Sequence, residues 1–273
     1  MSTGKDVLHV VLSDMHSGSN YALFPDRPWH GRQTSHVPRS GQIAIRKHFE
    51  FFADTVKERR KDKRVILVHN GDAIDGDHHS SGDVCTLNQL EQADIHIELM
   101  NEFQKRMGWN RGDRLYYTRG TNVHVTDFEP YIGEQLNAVM DGNRAWELLQ
   151  LVTNGVLSWF VHHGPKKGRG ANRGNALRNW LRSIYYDALQ DDAQFPRIVY
   201  SGHVHDPDYS VYTAQCKGFQ FVNMHAIILP SWQMKTRFAW EKAPVSVNRI
   251  GGVLHEIKAD GTIRPPEFII MKT

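Results

Sequence analysis

Cysteine is nearly missing from this chain. Cys85 and Cys216 are the only two among 273 residues, too few for a disulfide scaffold, so both are expected as free thiols in a fold held by its own core. Long apolar runs are missing as well, which argues against a membrane-spanning helix. No internal repeat, coiled-coil heptad or low-complexity stretch is present, so solenoid and fibrous architectures drop out. Neither sign of charge dominates: 33 Lys and Arg against 30 Asp and Glu leave a net charge of +3, which suits an anionic substrate without requiring one. The opening MSTGKDVLHVV enters a strand-like run almost at once, with no room for a secretory leader, and a cytoplasmic location is expected.

Histidine is what the chain has in excess. There are sixteen, many of them in short blocks that also hold Asp, Asn and Gly. The apolar fraction of 40% and charged fraction of 23% are those of an ordinary globular protein.

Residues 7–12 form a short aliphatic and β-branched run that stops abruptly at Ser13, Asp14 and His16, the pattern of a buried strand. Ile45, Phe49, Phe52 and Val56 recur at helical spacing and predict an amphipathic helix running into the charged stretch 57–64. A second strand is expected over 65–68, leading to a polar loop, 69–77. Thr86 and Gln89 have the spacing of a capping box ahead of Leu90, Ala93, Ile97 and Met100 on one helical face. A third strand is expected over 114–118, and a hairpin around Asn154-Gly155 between 146 and 161. Leu177, Leu181, Ile184 and Ala188 predict another helix, 198–200 a strand, and 219–223, 226–229, 252–257 and 267–271 a β-rich end. Strands alternating with helices, then a β-rich part, point to a layered α/β domain.

Five times an apolar strand ends in a loop of candidate metal ligands: Asp14 and His16; Asp72 and Asp75; Asn122 and His124; His162 and His163; His203 and His205. In layered α/β folds the loops at the carboxyl ends of strands converge on one crevice. Each block alone is commonplace, and the combination carries the inference. Mixed carboxylate, imidazole and amide donors suit manganese, iron or zinc better than a thiolate or all-oxygen site does.

The blocks resemble the motifs of the calcineurin-like metallophosphoesterases. Asp14-Met-His16 is similar to the first motif, Gly71-Asp72-Ala-Ile-Asp75 to the second, Gly120 to His124 to a variant of the third, His162-His163-Gly164 to the fourth and Gly202-His203-Val-His205 to the fifth. The resemblance spans about residues 6–230 in the family's order. It implies an α/β/β/α sandwich with two mixed sheets, formed as a single domain over residues 1–273 whose β-rich C-terminal part is 231–273. It implies two divalent metal ions, manganese first, with iron, zinc, nickel or cobalt admissible. Asp14, His16, Asp72 and His205 would hold one, and Asp72 would bridge to a second completed by Asn122, His162 and His203. Such a bridge sets two cations about 3.5 to 4 Å apart, where a water between them can attack phosphorus. His124 resembles the histidine beside the leaving group, a general acid. Asp75 would orient a ligand or its loop.

The third block departs from the family pattern, which places Asn and His side by side before an acidic residue, whereas here the run is Gly-Thr-Asn-Val-His-Val. Either the loop bulges so that Asn122 and His124 both face the metals, or only one does and Asp127 or a water substitutes. Beyond the blocks, Lys166, Lys167, Arg169, Arg173 and Arg178, with Arg182, form a stretch without acidic residues beside the fourth block, either a substrate-phosphate contact or a solvated basic loop. His78 and His79 are substrate contacts or plain loop histidines. Tyr21, Trp29 and Trp232 are packing residues or stacking surfaces for a base. The leading expectation is a phosphodiesterase or nuclease acting on a nucleotide or nucleic acid. The alternatives are a phosphomonoesterase or protein phosphatase and, from another class, a binding protein that has lost turnover.

Overall fold

The computed structural model describes residues 4–32, 34–76, 82–122, 128–165, 172, 174–216, 220–242 and 249–272. Two five-stranded mixed sheets dominate it. In the first, β1 (Val7–Leu12), β4 (Arg64–Asn70) and β5 (Arg114–Thr118) are parallel, and β11 (Gly251–Ile257) and β12 (Glu267–Ile270) continue antiparallel beyond β1, in the order β12-β11-β1-β4-β5. The second repeats the plan. Three parallel strands, β7 (Val156–Val161), β8 (Ile198–Ser201) and β10 (Phe221–Ile228), are flanked antiparallel by β6 (Leu149–Thr153) and β9 (Asp208–Gln215). A two-residue hairpin, β2 (Trp29–His30) with β3 (Ser35–His36), precedes the long helix α1 (Ser40–Arg60). The other described helices are α2 (Gln89–Met107), α3 (Phe128–Gln135), α4 (Asn175–Gln190) and α5 (Arg237–Lys242).

Side-chain alternation along the strands shows how these pieces stack. Leu8, Val10 and Leu12 of β1 turn to one face and pack with Ile45, Phe49 and Phe52 of α1 and Leu99 and Phe103 of α2. Val7 and Val11 turn to the other face and meet Phe160, Ile198 and Ile227 of the second sheet. On that sheet's far side Val199, Ala226 and Ile228 pack with Leu177, Leu181 and Ile184 of α4. Three apolar interfaces therefore separate four layers, α/β/β/α. Buried parallel strands need no polar alternation, which is why β1, β4 and β8 are mostly apolar, with His9 as the one polar side chain inside β1. Among the described residues no helix is long and apolar enough to cross a membrane.

The inter-sheet core also holds a buried polar chain. His255 Nε2 donates to the Arg264 carbonyl at 2.7 Å, which makes its Nδ1 the acceptor for the Tyr200 hydroxyl, also at 2.7 Å. Tyr200 then accepts from His9 Nδ1 at 3.3 Å, and His9 Nε2 accepts from the Thr153 hydroxyl at 3.3 Å. With both imidazoles neutral, this direction gives every link one donor and one acceptor. Burial, with Arg64 nearby, pushes His9 down to about 3, and burial together with His9 does the same to His255.

Several elements differ from the sequence expectation. Asn88, not Thr86, caps α2: its Oδ1 accepts from the amides of Leu90 at 3.0 Å and Glu91 at 3.4 Å, while Thr86 donates to Glu91 Oε2 at 2.7 Å. The strands expected at 219–223 and 226–229 are one strand, β10. β9 escapes the periodic pattern because its buried side are the small residues Ser210 and Ala214. α3 escapes it because Pro130 and Gly133 sit within eight residues, a composition that reads as a loop.

Candidate metal centre

Five of the parallel strands end at one place. The loop after β1 carries Asp14 and His16, that after β4 Asp72 and Asp75, and that after β5 Thr121 and Asn122; from the second sheet β7 delivers His162 and His163, and β8 His203 and His205. Backbone bonds lace the loops together: Asp14 N to Gly71 O, His16 N to Asp72 O and Gly202 N to His162 O, each 3.0 Å. Asn70 ties the two sheets beneath them, its side chain donating to Val161 O at 3.0 Å and accepting from Thr118 Oγ1 at 3.0 Å.

Backbone strain is concentrated here. Asp14, His16, Asp72, His203 and His205 all have positive φ, between 44° and 67°. Asp and His tolerate the left-handed region better than most residues but still at a cost, and such residues gather at functional sites. Glycine makes the close packing possible. A Cβ on Gly202 would overlap Ser13 Oγ and come within 2.8 Å of Asp14 Oδ2 and 2.9 Å of His162 Nδ1.

The donor atoms converge. Those of Asp14, His16 and His205 lie within 4.8 Å of one another, as do those of Asp14, Asp72 and His162, and those of His162, His163 and His203. His16 Nε2 is 3.3 Å from His205 Nε2, and His205 Nε2 is 3.1 Å from Asp14 Oδ1. His162 donates from Nδ1 to the Asn70 carbonyl at 2.8 Å, which turns Nε2 inward. That Nε2 is buried and forms no hydrogen bond, although Asp72 Oδ2 is 3.2 Å away. Inward-facing imidazole nitrogens around two carboxylates, one of them a buried orphan, fit divalent cations with mixed oxygen and nitrogen ligands.

Electrostatics follow from this crowding. Burial opposes ionisation of Asp14, but the His205 and His162 imidazoles outweigh it and hold the carboxyl well below its usual range. Burial likewise opposes charge on His162, yet Asp14 and Asp72 push it up to about 10. Burial, then His162, lowers His163; burial also lowers His203, against the pull of Asp14. The inner part of the cluster is sealed, with Asp14, Asp72 and His162 at most 1% exposed, whereas His163 and His203 are exposed at its mouth.

Asp75 lies 3.2 Å from His16 Nδ1 through Oδ1, and that oxygen also accepts from Gln233 Nε2 at 3.0 Å. Asn122 is exposed and, among the described residues, makes no hydrogen bond to the cluster. Thr121 faces the cluster: its amide donates to Asp72 Oδ1 at 2.6 Å, and its hydroxyl is 3.2 Å from His163 Nε2 and 3.5 Å from His203 Nδ1. Arg178 is exposed on the first turn of α4, where Nη2 donates to Asn175 Oδ1 at 2.6 Å, and it makes no described contact with the cluster. His78, His79, His124, Asp127, Lys166, Lys167, Arg169 and Arg173 lie outside the described residues. Trp232 is fully buried against Phe49 and Phe52 and offers no stacking surface, Trp29 is partly buried against the same core, and Tyr21 lines a cavity.

Sequence reasoning passed over Thr121 and Glu129, and it named His163 among the candidate ligands without assigning it to a metal. His163 was visible in the His-His pair, but which ring turns inward depends on the Asn70 carbonyl. Thr121 was visible only as the neighbour of Asn122. Glu129, in α3, is fully buried and accepts from Gly120 N at 2.7 Å and Ala73 N at 3.4 Å, joining the loops after β4 and β5. Burial pushes it up to about 8, against the Gly120 amide. A lone Glu beside a proline gives no signal of that role.

No protein-family model and no curated protein matches the chain. Solved structures do. The chain is similar to a predicted phosphoesterase from Streptococcus pneumoniae TIGR4 at 12% identity, over 98% of this chain and 100% of that one, with a TM-score of 0.35. It is similar to a metallophosphoesterase from Sphaerobacter thermophilus at 11% identity, over 97% and 88%, with a TM-score of 0.32. A 5′-nucleotidase from Candida albicans is similar at 12% identity, over 94% of this chain and 52% of that one, with a TM-score of 0.37.

Proposed function

We propose that the chain is a dinuclear metal-dependent phosphoester hydrolase, and that within this class it cleaves phosphodiesters of nucleotides or nucleic acid. One observation carries the reading: donors of Asp14, His16, Asp72, His162, His203 and His205, from four separate loops, crowd within coordination distance of shared points. Asp14, His16, Asp72 and His205 would hold one cation. Asp72, His162 and His203 would hold the second, with His163 and either Thr121 or Asn122 beside it. When bound, such a pair stabilises charge on phosphoryl oxygens and acidifies water for attack on phosphorus, with manganese the first expectation.

The chain's own groups do the rest. The Asn70 carbonyl fixes the His162 tautomer, and Asp75, held by Gln233, orients the His16 ring. Glu129 keeps the Asp72 and Thr121 loops in register. His124 would protonate the leaving oxygen, and Lys166, Lys167, Arg169, Arg173 and Arg178 would meet phosphates flanking the scissile one. Turnover of two diesters, bis(p-nitrophenyl) phosphate and a single-stranded oligonucleotide, beside the monoester p-nitrophenyl phosphate, each with manganese and with zinc, tests the reading. Cleavage of both diesters is expected. Activity confined to p-nitrophenyl phosphate would replace the diesterase by a monoesterase, and inactivity on every ester would end the hydrolase reading.

A further inference from the structure

Beside the centre lies a cavity of about 490 Å³ lined by Asn20, Tyr21, Arg39, Gly41, Lys235 and Trp240, among others, with no Asp or Glu among its described lining residues. It adjoins the metal site through a short relay. Asp75, which sits on His16, accepts from Gln233, and the next residue, Met234, donates its amide to Tyr21 O at 2.8 Å.

Three features point to one kind of occupant. The N-terminus of the 21-residue helix α1 opens onto the cavity at Arg39, Ser40 and Gly41, with no acidic residue in its first turn, so amide dipoles and a guanidinium favour an anion there. Lys235 Nζ stands over one face of the Trp240 ring, 4.1 Å from its centroid, and Trp240 is 57% exposed, so a cation and an accessible aromatic side chain lie together. Asn20 is only 8% exposed, yet among the described residues its side-chain amide makes no hydrogen bond, although its backbone amide donates to Asp83 O. The adjacent donor and acceptor of that carboxamide match the edge of a base.

We infer that this cavity binds a nucleoside phosphate, with the base against Trp240 and Tyr21, its edge on Asn20, and the phosphate at Arg39, Lys235 and the start of α1. The inference rests on the phosphoesterase reading only for its biological sense, as the subsite that seats a nucleotide flanking the scissile phosphate; the binding itself needs no metal. The test is titration of metal-free, chelator-treated protein with adenosine 5′-monophosphate, followed by calorimetry. Saturable binding is expected, weakened on the order of tenfold in Trp240→Ala, since base stacking on one aromatic contributes roughly five- to a hundredfold. Arg39→Ala, also at an exposed position, should weaken binding and flatten its salt dependence. No binding, or equal binding by wild type and both variants, would overturn the site. Diester hydrolysis without this binding would remove the subsite and leave the hydrolase, whereas binding by a chain that hydrolyses nothing would do the reverse.

Discussion

Replacing His9 by leucine removes one of two histidines that the inter-sheet core keeps uncharged, and the consequence should depend on pH. In the folded chain His9 and His255 are pushed down to about 3 from an ordinary 6.5. Between those values the unfolded chain binds more protons than the folded one, so stability falls as pH drops through 6.5 and levels off below about 3. From pH 7 to pH 5 each histidine should remove about 2 kcal/mol, because the unfolded ring gains most of a proton and the folded ring none. Other groups titrate in this window, including His162, whose raised value acts in the opposite sense. Comparing wild type with His9→Leu cancels their shared contribution. At pH 7 the variant should lose about 1 kcal/mol, since the Thr153 hydroxyl and the Tyr200 oxygen each lose a partner. Its further loss on going to pH 5 should be about 2 kcal/mol smaller than that of wild type. Urea unfolding of chelator-treated protein at both pH values, with constant m, reads this directly. Equal pH dependence in the two proteins would show that His9 is not held neutral and would refute the directed hydrogen-bond chain.

Substitutions at three further positions probe the support of the site and the fold. Glu129→Ala frees the Gly120 and Ala73 amides, and metal affinity and kcat/KM should each fall about 10- to 100-fold, while Glu129→Gln, which keeps an acceptor, should fall less; metal titration and initial rates distinguish them. Gly202→Ala pushes a methyl group into Ser13, Asp14 and His162, so metal content by plasma emission should drop while the far-UV spectrum stays folded. Asp113→Ala leaves the buried Arg60 guanidinium without its carboxylate and also unpairs the Val65 and Asn110 amides, so denaturant unfolding should show a loss of about 3 to 5 kcal/mol.

Much of the fold is legible because buried parallel strands and half-buried helices have simple periods. β1, β4, β5 and β8 appear as apolar runs, and Asn154 and Gly155, with φ of 51° and 79°, make the hairpin turn their types predict. The candidate ligands are legible for a different reason, since five blocks of Asp, Asn and His each follow an apolar run, and that repetition is what sets them apart. What stays hidden is set by backbone rotation and by neighbours distant in sequence. Whether Thr121 or Asn122 faces the cluster turns on one residue of phase in the loop after β5. Which of His162 and His163 points inward is decided by the Asn70 carbonyl, 92 positions from His162. His9 and His255 look like any other histidines until the second sheet buries them, and Trp232 looks like a stacking platform until Phe49 and Phe52 enclose it.

The central claim, that Asp14, His16, Asp72, His162, His203 and His205 form one two-metal hydrolytic centre, is tested most directly by metal content and diester turnover of wild type and Asp72→Asn measured side by side. The account predicts two equivalents of divalent metal in the wild-type chain, and in the variant a loss of at least one equivalent together with turnover reduced by several orders of magnitude. Full turnover in Asp72→Asn, or a wild-type chain that hydrolyses phosphodiesters with no metal bound, would contradict it.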